Sequence, residues 1–236
     1  MTSYGKLYLI PTPLGDYAPS QVLPAPVVER IGQLNKFVVE EIRTARRFLS
    51  AAGRKGHIGE IEFRELNEHT DPGSIDSYLD MFENGEDVGL LSEAGLPAVA
   101  DPGALLVSLC HKKGIGVVPM TGPSSLMMAL MASGLNGQSF AFRGYIPRES
   151  SERKKFLKEM EKMSSKLRQT QIFIETPYRN DALLKDICEV CEPATLLCIA
   201  ADITMPDEFI HTRNVGAWKK DMPEIGKRPC VFLILA

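Results

Sequence analysis

The chain has 236 residues, 44% hydrophobic and 24% charged, ordinary globular usage and enough length for one large or two small domains of roughly 100–150 residues each. A formal net charge of −3, from 27 basic and 30 acidic residues, excludes a general polyanion binder and confines any nucleic-acid contact to a local patch. No stretch reaches the ~18 apolar residues of a spanning helix, and the opening MTSYGKLYLI lacks the pattern of a secretion signal, so we expect a cytoplasmic protein with no membrane partner.

In chain order, short apolar runs predict strands at 7–10 (LYLI), 37–41, 57–63, 87–92 and 115–120, then at 140–145, 171–176, 195–202, 208–213 and 230–236. Several are continuous Val/Ile/Leu runs, the mark of strands covered on both faces. Helical stretches are expected at 26–35, 43–52, 73–84, 102–113, 123–134, 150–166 and 179–190. The helix at 73–84 is expected to start on a serine cap after DPG and to stop at Gly85. This strand–helix alternation argues for an α/β fold. We expect two α/β domains, 1–118 with a mostly parallel sheet and 119–236 with a mixed sheet.

Three loops rich in glycine, proline and hydroxyls follow strands directly: PTPLGD (11–16), SEAGLPAVADPG (92–103) and MTGPSS (120–125). Ligands of open α/β sheets bind beyond the carboxyl ends of the strands, so three such loops point to one cleft. The alternative is that some are plain turns with Asp16 or Asp101 as helix caps. No GxGxxG, P-loop or GxSxG motif is present, which argues against a dinucleotide, a P-loop triphosphate and a serine nucleophile elbow. Histidines 57, 69, 111 and 211 have no metal-ligand spacing, and no metal is expected. CEVC at 188–191 lacks a second cysteine pair among the five cysteines and reads as buried thiols on a helix.

The ordered set IPTPLGD, SEAGLPAVADPG, VVPMTGPSS, FRGYIPRESSERKKFL and IETPYR resembles the tetrapyrrole methylase superfamily, and most closely its branch of small-subunit ribosomal RNA (cytidine-2′-O-)-methyltransferases. The resemblance implies S-adenosyl-L-methionine as cofactor, held in a cleft between two α/β domains, in a homodimer. It implies cofactor contacts from Pro11, Leu14 and Gly15; from Ser92, Glu93, Gly95, Leu96 and Pro97; and from Thr121, Ser124, Ser125 and Leu126, with Ala201 and Pro229 as weaker candidates. The chain departs from the family pattern at Glu93, Leu96, Leu66 and Tyr178, and in the segment ADITMPDEFIHT. These departures put the acceptor in question more than the cofactor.

Methyl transfer to a ribose 2′-hydroxyl is helped by a base, for which Glu68 and Glu175 are candidates, with Arg43 and Arg179 to hold a phosphate. Glu175 could instead cap the following helix, and Arg43 could pair with Glu40 or Glu41. Arg148, Arg153, Lys154 and Lys155 in PRESSERKK form the basic patch expected to meet ribosomal RNA on the small subunit. A small-molecule acceptor such as a tetrapyrrole, or a cofactor-binding module without catalysis, are the alternatives.

Overall fold

The computed structural model describes residues 3–236. The chain divides into two compact units, one reaching Ser124 and the other spanning Ser125–Ala236.

The first unit carries a five-stranded sheet of β1 (Leu7–Ile10), β2 (Lys36–Val39), β3 (Glu62–Glu65), β4 (Val88–Leu91) and β5 (Val117–Pro119), in the order β3-β2-β4-β1-β5. Every pairing in it is parallel. The continuous apolar run VGLL of β4 is buried at every position, as a central parallel strand covered on both faces must be. Around the sheet lie α1 (Pro19–Val22), α2 (Ala25–Gln33), α3 (Ile42–Leu49) and α4 (Gly103–Lys113). One core gathers Ile10, Ile31, Phe37 and Leu49 on the α2/α3 side, another Leu7, Phe82, Leu90 and Leu106 on the other.

The second unit holds β6 (Phe140–Tyr145), β7 (Thr170–Ile174), β8 (Leu196–Ala201), β9 (Phe209–Asn214) and β10 (Cys230–Leu235), in the order β6-β7-β10-β8-β9. Here β6 and β7 run parallel while the other pairings are antiparallel. The parallel-plus-mixed α/β architecture therefore stands as expected. Helices α5 (Ser125–Ser133), α6 (Ser150–Leu167), α7 (Asn180–Val190) and α8 (Val215–Lys220) complete the unit.

Local corrections have physical causes. The strand expected at 57–63 begins only at Glu62, because 58–60 form a 3₁₀ turn. Residues 72–85 wind as 3₁₀ turns rather than an α-helix, and the cap is Asp71, whose carboxylate accepts from Gly73 N at 3.0 Å, not a serine. Pro72 at the first position and Asp71 before it make that start self-sufficient. Helix α8 has no counterpart among the expected elements: Asn214 caps it by accepting from Ala217 N at 2.7 Å, and the Trp218 indole donates to the Leu197 carbonyl. Cys188 and Cys191 are buried free thiols; burial raises both, Cys191 to about 12, so CEVC is packing.

Candidate active site

In the first unit, β1 and β4 are neighbours whose chains leave in opposite directions, β1 toward β2 and β4 toward β5. Such a divergence opens a crevice beyond the strand ends. The loops on either side are tied together: Thr12 N donates to Gly95 O at 2.9 Å, Gly95 N to Thr12 O at 3.1 Å, and Thr12 Oγ1 to Ser92 O at 3.3 Å. Gly95 has φ +77°, and a Cβ there would sit 3.2 Å from Leu14 Cδ2 and 3.6 Å from Pro123 O. A Cβ on Gly122 would overlap Pro11, at 2.2 Å. Pro11–Gly15, Ser92–Pro97 and Thr121–Ser124 thus converge, with glycine at both close approaches because nothing larger fits.

The middle loop is held by its own aspartate. Asp101 accepts from Ala98 N at 2.9 and 2.8 Å and from Gly103 N at 2.7 Å, which secures the start of α4 while Ala98 and Ala100 take φ of 64° and 62°. Left-handed alanines cost of order 1–2 kcal/mol each; strain of this kind concentrates where a ligand needs the backbone in one shape. Asp101 therefore works as a turn staple before α4, whose N-cap position is Pro102 and carries no side-chain cap.

Next to these loops lies a cavity of about 280 Å³, lined among others by Glu40, Thr44, Arg47, Phe48, Ser92 and Glu93. It sits at the carboxyl ends of β1, β2 and β4. Thr44 Oγ1 lies 2.6 Å from Glu93 Oε1 and 2.9 Å from Glu41 O, and Glu93 N donates to Glu40 Oε1 at 3.2 Å. Burial raises the Glu40 carboxyl above its ordinary value; the Glu93 N–H opposes this, while the charges of Asp101 and Glu93 add to it. Burial raises Asp101 as well.

The expected cofactor residues separate here. Gly15, Ser92 and Glu93 line the cavity; Pro11, Leu14, Gly95, Leu96, Pro97, Thr121 and Ser124 do not. Of the second-unit candidates, Ser125 and Leu126 open α5. Ala201 ends β8 beside Cys230, and Asp202 N donates to Pro229 O at 2.9 Å, so Ala201 and Pro229 are neighbours.

The expected catalytic residues fare unevenly. Glu68 is 85% exposed beside His69 and lines no part of the cavity. Glu175, its side chain wholly buried, pairs with Arg179 at 2.5 Å and accepts from Thr176 N at 2.6 Å. It is no cap for the helix after it. Glu175 Oε2, Arg179 Nε and Asn180 Oδ1 are buried without a hydrogen-bond partner among the described residues. Arg43 pairs with neither Glu40 nor Glu41; only its backbone N–H meets Glu41, which caps α3.

The basic patch is not as expected. Arg153 is 5% exposed, its guanidinium bound to Asp186 at 2.5–2.7 Å and to the Arg148 carbonyl at 2.8 Å. Lys154 is spent on Glu189 at 2.7 Å. Arg148 and Lys155 alone of the four stay exposed without an ion pair among the described residues. Arg153 shares a helix face with Leu157 and Met160, a periodicity visible in the sequence; its partner Asp186 lies on α7 and gave no such signal.

No protein-family profile matches the chain. It is 30% identical over 235 residues to the ribosomal RNA small subunit methyltransferase I of Escherichia coli O157:H7, covering 98% of this chain and 78% of that relative. It is 33% identical over 212 residues to the protein of the same name from Neisseria meningitidis serogroup B, covering 90% of this chain and 68% of that one. Among solved structures, the methyltransferase CobJ matches with a TM-score of 0.65 over 98% of this chain and 94% of its own, at 16% identity, a likeness of fold alone. Fold and relatives together define a methyltransferase of the tetrapyrrole methylase superfamily. Within it, the chain belongs to the ribosomal RNA small subunit methyltransferase I family.

Proposed function

We propose that the protein transfers a methyl group from S-adenosyl-L-methionine to a ribose 2′-hydroxyl of small-subunit ribosomal RNA. The observation that carries this reading is the convergence of three strand-end loops at Gly95, in a chain whose near-full-length relatives are named for ribosomal RNA methylation. The groups present suit the cofactor: the loops around Gly95 offer carbonyls and N–H groups at close range and no phosphate-binding motif, in keeping with a cationic ligand.

When bound, the cofactor supplies an electrophilic methyl on a sulfonium that departs as a neutral thioether. The residues of the chain have the remaining tasks. The loops around Gly95 fix alignment, the main source of rate when the donor is already activated. As the ribose oxygen gains the methyl carbon, its proton must go to a carboxylate or to water. Between the two carboxylates expected for that role, Glu175 is fixed by Arg179 and Thr176 and keeps Oε2 unpartnered among the described residues, whereas Glu68 stands in solvent. A cytoplasmic homodimer completes the proposal; these features rest on the resemblance alone.

Incubating the protein with labelled cofactor and small ribosomal subunits from a strain deleted for this gene, followed by nucleoside mapping, tests the proposal. A single 2′-O-methylated nucleoside is expected. Label entering no RNA, while calorimetry still shows cofactor binding, would overturn it.

A further inference from the structure

Resting on that function, we infer that the cavity of the first unit seats the acceptor nucleoside, and that Arg47 and Arg43 on α3 hold its flanking phosphates, in place of the basic segment at the start of α6. The cavity has three kinds of wall. Phe48 supplies an aromatic surface, the type of group on which an unstacked base rests. Glu40 and Glu93 supply carboxyl oxygens, which accept from the amino and hydroxyl donors of a nucleoside. Arg47 supplies a cation at the rim.

Helix α3 reads IRTARRFL, with three arginines and no acid. Arg43 and Arg47 are four residues apart and so share one face. Both are exposed, and no ion pair joins either to an acid among the described residues. Arg46, by contrast, lies over the Phe63 ring at 5.5 Å. Two unpaired guanidiniums, one of them lining a cavity with an aromatic wall, make a phosphate-then-nucleoside arrangement, because a planar guanidinium takes phosphate oxygens bidentately.

Size and lining favour the acceptor over the cofactor as occupant. At about 280 Å³ the cavity is near the low end of small-ligand pockets, roughly 300–1,000 Å³, a size that suits a single nucleoside. Its wall omits Gly95, Leu96 and Pro97 and all of Thr121–Ser124, most of the loop residues expected to touch the cofactor.

The test compares Arg43→Glu with Arg47→Glu, as a double variant, against Arg148→Glu with Lys155→Glu. Steady-state methylation of deletion-strain small subunits gives KM, and calorimetry with S-adenosylhomocysteine gives cofactor-site affinity. The α3 double variant is expected to raise KM at least about tenfold, with cofactor-site affinity unchanged. Its neutral counterpart, Arg43→Ala with Arg47→Ala, should lower the slope of log KM against log salt by about 2, one for each phosphate that is no longer neutralised. The α6 pair is expected to stay within about twofold of wild type, and Arg43→Lys with Arg47→Lys to recover only part of the loss, because the charges remain but the bidentate geometry does not. A KM that moves with the α6 pair and not with the α3 pair, or an α3 variant that loses cofactor-site affinity in step with activity, would overturn the inference. Should the wild-type protein itself methylate no small-subunit RNA, the failure belongs to the proposed function; wild-type methylation with unaffected α3 variants counts against the cavity assignment alone.

Discussion

Helices α3 and α6 are both basic in sequence, yet their cations have opposite fates. In α6, Arg153 turns inward to Asp186 and Lys154 is clamped by Glu189. In α3, Arg43 and Arg47 stay exposed, with no ion pair among the described residues. A run of basic residues thus counts as a binding surface only after the acids of neighbouring elements have been subtracted. Helix α7 brings Asp186 and Glu189 against α6, while α3 carries no acid of its own and caps on Glu41.

Breaking this contrast at α6 should produce the largest effect. Arg153→Ala leaves the buried Asp186 carboxylate without its main partner and should cost about 3–5 kcal/mol of stability, read by urea unfolding. Replacing both partners, Arg153→Met with Asp186→Leu, should restore most of that. A stable Arg153→Ala protein with diminished RNA affinity would reverse the roles of the two helices.

The next effect lies in the loops beside α3. Asp101→Ala strips hydrogen bonds from Ala98 N and Gly103 N and should cost about 1–3 kcal/mol. Gly95→Ala places a side chain at φ +77° against Leu14 and should cost about 1–2 kcal/mol, with weaker binding of S-adenosylhomocysteine in calorimetry. Unchanged stability and binding in both would remove the converged loops from the site.

The smallest effect sharpens the α3 side through pH. Because burial raises the Glu40 carboxyl in the folded protein, the folded state holds that proton more tightly than the unfolded chain. Its contribution to stability therefore falls as pH rises from the ordinary carboxylate value through the raised one. Glu40→Gln should raise Tm at about pH 8, and the gain should vanish near about pH 3, where Glu40 is protonated in both states. A gain independent of pH would mean that charge at Glu40 is not the cause.

Much of the fold was legible because β1, β4, β8 and β10 are uninterrupted apolar runs whose burial requires a covered sheet. The short α8 and the 3₁₀ turns at 72–85 were not, since a few residues held by Asn214 or Asp71 leave no periodicity to count. The three loops announced themselves by composition, Gly95 and Gly122 marking where backbones meet. The cavity beside them did not. Its wall joins the ends of three strands to one face of α3, and Phe48 and Arg47 look like ordinary helix residues until β2 and β4 are placed side by side. Arg153 had a readable sign, its spacing with Leu157 and Met160, which the appeal of a basic run outweighed.

Which helix meets RNA is the central question, and photo-crosslinking of the protein to deletion-strain small subunits, with the linked peptides mapped by mass spectrometry, asks it directly. Nucleotide adducts on peptides from α3 and its cavity, around Arg43–Phe48, are the predicted result. Adducts confined to the α6 segment around Arg148–Lys158, with none on α3, would contradict it.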